Sequence, residues 1–115
     1  MTDLTVTTNS TAAGPVLAVA GDLDFDTAAA LRAAVAALAL LSGQTLTLDL
    51  AALTFCDSSG IAALIAARNH AQTQGADTVL ANTPADTVRV LRFVGLDQIF
   101  HIQAGAASAG AGDSG

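Results

Sequence analysis

The chain has 115 residues, which suits one compact domain with enough apolar content to bury a core. Four Arg and no Lys stand against ten Asp, a formal net charge of −6, and that balance repels nucleic acid and anionic membranes, whose binding needs clustered basic residues. Four Phe with no Tyr or Trp leave no stacking platform for single strands.

Leu4-Thr5-Val6-Thr7-Thr8 alternates apolar and polar and predicts a half-buried first strand. Asn9 to Pro15 carries turn chemistry. Val16-Leu17-Ala18-Val19-Ala20 predicts a second strand, ended by Gly21 and paired antiparallel with the first. Asp22-Leu23-Asp24-Phe25-Asp26 reads as an acidic loop, with Asp26 or Thr27 able to cap the helix that follows. In that helix Leu31, Val35, Leu38 and Leu41 recur at helical spacing with Ala34 on their side, so it covers one face of a sheet and stops at Ser42-Gly43. Thr45 to Leu50 is the clearest strand, with Leu46, Leu48 and Leu50 on one face and Thr45, Thr47 and Asp49 on the other.

A loop through Phe55 leads to a second helix, Ser58 to Gln74. It is apolar at Ile61, Leu64 and Ile65 and small at Ala62, Ala63, Ala66 and Ala67, a composition suited to close packing on a sheet. Gly75 reads as its C-cap. Thr78 to Ala81 is a short fourth strand, and Asn82-Thr83-Pro84 opens a third helix with a buried stripe at Val88, Leu91 and Val94. Gly95-Leu96 suits a Schellman-type ending, and Ile99 to Ile102 supplies the last strand. The order β-β-α-β-α-β-α-β implies a single α/β domain over residues 1–103, a mixed sheet with helices packed on it. Residues 104–115 are Ala, Gly and Ser with one Asp and read as a flexible tail.

The chemistry concentrates at Phe55-Cys56-Asp57-Ser58-Ser59-Gly60. Asp57 or Ser58 serves as an N-cap, and Gly60 allows close packing. The same free N–H groups and the positive end of the helix dipole tolerate a phosphoserine. A phosphate there joins the charges of Asp57, Asp22 and Asp24, which makes the segment a charge switch more readily than a catalytic centre. Asp22, Asp24 and Asp26 lack the remaining ligands and the closing Glu of a calcium loop, so no metal is expected. His70 and His101 fall in no triad, Ser58 is not in a Gly-x-Ser-x-Gly elbow, and no Gly-rich phosphate loop with Lys is present. An enzyme and a cofactor are therefore not expected. Cys56 is the only cysteine, which leaves no intrachain disulfide, and Asp57 beside it raises the thiol pKa, the mark of a buried structural residue. No apolar run is long enough to insert in a membrane, and the N-terminus lacks the basic and apolar regions of a signal peptide, so the cytoplasm is the expected location.

Gly21-Asp22-Leu23-Asp24, Thr27, Leu46 to Leu50, Phe55 to Ile61, and Gly95-Leu96 before an Ile-Phe strand together resemble the anti-sigma factor antagonists of the STAS class, over roughly Leu4 to Ile102. That resemblance implies a bacterial regulator of transcription. Its regulated residue is the Ser after the motif's Asp, here Ser58. It implies that an anti-sigma factor with serine-kinase activity phosphorylates Ser58, that the unmodified form binds this factor and frees a sigma factor, and that a phosphatase resets the cycle. Asp22, Asp24, Asp57, Ser58, Ser59, Gly60 and Ile61 form the implied partner surface, with Asp24 the best candidate for polar contact near Ser58. The resemblance also admits a second reading, a STAS scaffold in a transporter or stressosome-like assembly without phosphorylation.

Overall fold

The first two strands form the antiparallel hairpin that the alternation predicts, and both are longer than expected. The structure, a computed structural model, describes residues 4–105. Strand β1 (Thr5–Thr11) pairs with β2 (Gly14–Leu23), in register from Thr5↔Ala20 to Thr11↔Gly14. Gly21 does not end β2. The strand continues through Asp22 to Leu23, past a register shift between Gly21 and Asp22.

Helix α1 (Ala28–Ala36) buries Leu31 and Val35 as their spacing requires. It ends six residues before Ser42, however, because the chain leaves the helical path to put Leu40 into the core while Leu41 stays exposed. Strand β3 (Thr45–Asp49) alternates as predicted, with Leu46 and Leu48 fully buried. Each fully buried Leu of this kind contributes about 1.5–3 kcal/mol. Strand β4 (Leu53–Cys56) occupies what the sequence presents as a loop. Helix α2 (Ser58–Thr73) follows, then β5 (Asp77–Thr83), α3 (Ala85–Phe93), a 3-10 turn (Leu96–Gln98) and β6 (His101–Ala104).

The sheet order is β1-β2-β3-β5-β6, with β4 beside the far end of β2, and every pairing except β1 with β2 is parallel. The α/β class and mixed sheet stand, and β4 makes the order β-β-α-β-β-α-β-α-β. Leu17, Val19, Leu46, Leu48 and Leu80 from the sheet share one core with Leu31 and Val35 of α1, Ala63, Leu64, Ala67 and Ala71 of α2, and Leu91 of α3. The Ala positions of α2 are what let it lie close to the sheet. Val94, expected in the α3 stripe, is exposed, because Gly95 takes the left-handed conformation (φ 81°) and turns the chain so that Leu96 packs on the core instead.

The last strand runs later than predicted, from His101 to Ala104, and Gly105 donates its N–H to Thr83 O at 3.0 Å. Ala104 thus belongs to the sheet, and residues 106–115 of the expected tail lie outside the described residues. Among the described residues no helix is long and apolar enough to cross a membrane.

Candidate functional site

The site is built where β2 runs past its pairing with β3. Its extension pairs with β4 through Gly21↔Leu53, Asp22↔Phe55 and Leu23↔Cys56, which brings the acidic segment beside the start of α2. Thr54 Oγ1 donates to Asp22 Oδ1 at 2.6 Å and fixes that carboxylate on β4. The Asp57 N–H donates to Leu23 O at 3.3 Å, tying the first residue after β4 to the last of β2.

Asp57 is the N-cap of α2. Its backbone is extended (φ −96°, ψ −170°), and its Oδ1 accepts from the Gly60 N–H at 3.0 Å. The Ile61 N–H closes the first helical bond on Asp57 O at 2.9 Å. Ser58 is therefore the first helical residue and not the cap, and its side chain is exposed, whereas Ser59 is half-buried. The helix begins with its first N–H groups lacking intrahelical partners, next to an exposed hydroxyl.

Gly60 is buried, and a Cβ placed on it would fall 2.3 Å from Leu23 O and 2.8 Å from Cys56 Sγ. Only glycine lets α2 approach the end of β2 this closely. Ile61 is half-buried and packs against the core, so it anchors the turn. Cys56 is half-buried rather than buried. Burial, and secondarily the Asp57 charge, pushes its thiol up to about 11, so it stays protonated at neutral pH.

The hydrogen bonds of the Asp24 carboxylate are to its own loop, with none to Ser58. Its Oδ1 accepts from the Asp26 N–H at 3.0 Å and the Thr27 N–H at 3.1 Å, folding the carboxylate into its own loop. Thr27 stands at the N-cap position of α1 without making a side-chain cap, and neither does Asp26. The Thr27 hydroxyl instead donates to Asp22 O at 2.7 Å and accepts from the Asp24 N–H at 2.9 Å. The structure thus gathers Asp22, Asp57, Ser58, Ser59, Gly60 and Ile61 around one β2–β4–α2 junction, with Asp24 behind it as a loop organiser.

A family model described as "Mlab, STAS domain" matches residues 6–103. The chain belongs to the STAS domain family. No curated protein matches the sequence. Among solved structures, an anti-sigma factor antagonist from Mycobacterium paratuberculosis aligns at TM-score 0.78 and 24% identity, covering 95% of this chain and 92% of that one. The Bacillus cell fate determinant SpoIIAA in its phosphorylated form aligns at TM-score 0.64 and 21% identity, covering 93% of this chain and 97% of that one. The murine Solute Carrier 26 family member A9 anion transporter aligns at TM-score 0.71 and 17% identity, covering 96% of this chain but 22% of the transporter. At these identities the likeness is one of fold.

The sequence pattern also misses part of this STAS domain's surface. Phe25 is 81% exposed, Phe55 52% and Phe93 89%, so three of the four Phe face outward near or beyond the junction. Phe55 and Val90 line a groove of about 270 Å³ between β4 and α3. The available signal is that Phe93 falls outside the Val88–Leu91 stripe, and that Phe55 takes the outward place in a strand too short to show alternation.

Proposed function

We propose that this STAS domain is an anti-sigma factor antagonist, switched off when an anti-sigma factor with serine-kinase activity phosphorylates Ser58. The observation that carries this reading is the pairing of an exposed Ser58 with a rigid seat. Asp57 caps the helix, and Gly60 is pressed against Leu23, so the hydroxyl is presented on a turn held by a hydrogen bond on one side and close packing on the other. Ser59 is half-buried, which favours Ser58 as the acceptor. The family resemblance of the Asp57-Ser58 motif and the fold shared with a structure of SpoIIAA in its phosphorylated form support the same reading.

In the transfer, Ser58 Oγ attacks the γ-phosphorus of ATP, the bond to the β–γ bridging oxygen breaks, and ADP leaves. The hydroxyl proton passes to a base on the kinase. The phosphoserine carries about −1.5 to −2 charges. It arrives beside Asp57 and Asp22, and each like-charge contact near 4 Å costs roughly 1 kcal/mol in water and more at a drying interface. Since each 1.4 kcal/mol is about tenfold in affinity, two such contacts weaken partner binding by more than tenfold with no change of fold. Release of the partner lets it recapture sigma, and a phosphatase restores the unmodified serine.

The test is incubation with the cognate anti-sigma factor and ATP, followed by intact-mass measurement and peptide mapping. One phosphoryl group on Ser58, absent in Ser58→Ala, is expected, and Ser58→Asp should bind the factor at least about tenfold more weakly than wild type. Chain that gains no phosphate on Ser58 or Ser59 sinks the switch. The second reading, a non-phosphorylated STAS scaffold of a transporter or stressosome-like assembly, would then take its place. It is favoured by the alignment of nearly the whole chain within an anion transporter.

A further inference from the structure

A second set of polar groups converges at the other end of α2. Strand β6 pairs with β5 only from Val79↔His101 onward, so Asp77 and Thr78 at the start of β5 have no strand on their outer side. The C-terminal half of α2 and the turn ending at Ile99 border this gap. They leave a cleft of about 300 Å³ lined by Thr45, Arg68, Gln72, Thr78, Ile99 and His101.

Three features distinguish it from an ordinary surface dent. The Arg68 Nε–H donates to Ile99 O at 3.1 Å, which holds the guanidinium at the cleft, and Arg68 makes no ion pair among the described residues. His101 adds a second nitrogen donor to the lining, in a chain with only four Arg and two His. Thr78 is 9% exposed, and its Oγ1 is the only buried side-chain polar atom among the described residues without a hydrogen-bond partner. Buried hydroxyls are nearly always paired, and an orphan beside a polar cleft marks a place that a water or a ligand atom completes.

The donor set selects the ligand's chemistry. An arginine fork recognises a carboxylate or phosphate through paired N–H donors. Asp77 also lines the cleft and disfavours a bare multivalent anion, while accepting from any donor the ligand carries beside its anionic group. We propose that this cleft binds a small molecule through a carboxylate or phosphate group held by Arg68 and His101, with the Thr78 hydroxyl meeting a further polar atom. The site lies about ten residues along α2 from Ser58, roughly 15 Å by helical rise, and so does not depend on the phosphorylation reading.

The experiment is an NMR titration of the full ¹⁵N-labelled chain with sodium phosphate and, separately, sodium acetate, each against sodium chloride at equal ionic strength. We expect saturable shifts at the Arg68 side-chain N–H and at the Thr78 and His101 amides, with Kd on the order of millimolar for such fragments. The probe that saturates identifies the phosphate or carboxylate source. Arg68→Gln should weaken binding about tenfold, while Arg32→Gln, the same charge change on α1, should leave it unaltered. If Arg68→Gln does not give a folded spectrum, His101→Gln makes the same comparison. Shifts reproduced by chloride, equal affinity in the Arg68 and Arg32 variants, or no saturable response to either probe would each overturn the proposal.

Discussion

The starts of α1 and α2 use the same residue types to opposite ends. Each has an Asp and a hydroxyl within a few residues of the first helical turn. At α1 the Asp24 carboxylate folds into its own loop, and the Thr27 hydroxyl is spent on Asp22 O and the Asp24 N–H. At α2 the Asp57 carboxylate caps the helix, and the Ser58 hydroxyl is left exposed. Composition alone does not distinguish a structural hydroxyl from an available one. The difference is whether the carboxylate or the hydroxyl satisfies the backbone, because a group already bonded in both directions has little left to offer a partner.

The comparison can be broken first at Gly60. Gly60→Ala drives a Cβ into Leu23 O and should lower the unfolding free energy by about 3 kcal/mol in urea titrations. An unchanged midpoint would show that α2 does not need its close approach to β2. Thr27→Val removes the hydroxyl's hydrogen bonds to Asp22 and Asp24 at α1 and should cost about 2 kcal/mol, yet leave the rate of Ser58 phosphorylation as in wild type. A slowed rate in that variant would mean that the two helix starts are coupled.

Asp57→Ala removes the cap and should cost about 1 kcal/mol in thermal or urea unfolding. Its phosphorylation rate should fall by more than the loss of folded protein explains, and a rate that merely tracks stability would deny Asp57 a positioning role. The smallest effect concerns pH. The chain has no Tyr and no Lys, so Cys56 is the side chain that titrates in alkaline solution below the Arg range. Its raised pKa means that the folded state favours the neutral thiol. That contribution is full below the ordinary thiol value of 9.0 and is lost as pH rises through about 11. Wild type should therefore lose stability over this window relative to Cys56→Ala, and parallel pH profiles would show that the thiol is not desolvated.

Much of this arrangement is legible in the residues. The Leu46-Leu48-Leu50 alternation, the Leu31–Val35 spacing and Gly95 before Leu96 each encode a local geometry that the core only had to accept. The Asp57-to-Gly60 motif likewise announces a helix start. Three features are not legible for physical reasons. Strand β4 has four residues and one partner, the bulged end of β2, so no periodicity can reveal it. Helix α1 stops within an Ala- and Leu-rich run that has no intrinsic reason to end, because burying Leu40 outweighs continued helical propensity. The open cleft at Thr78 depends on where β6 begins pairing, which is set two elements away.

The sequence by itself determined the α/β class, the membership of residues 6–103 in the STAS family and a helix that begins at Ser58. Those follow from period, capping chemistry and short motifs, all of which act within a few residues. Tertiary structure alone decided which hydroxyl is available. That choice depends on β4 pairing with the end of β2, on Gly60 meeting Leu23, and on Asp24 turning inward. Hydrogen-bond satisfaction between distant segments is invisible until the segments meet.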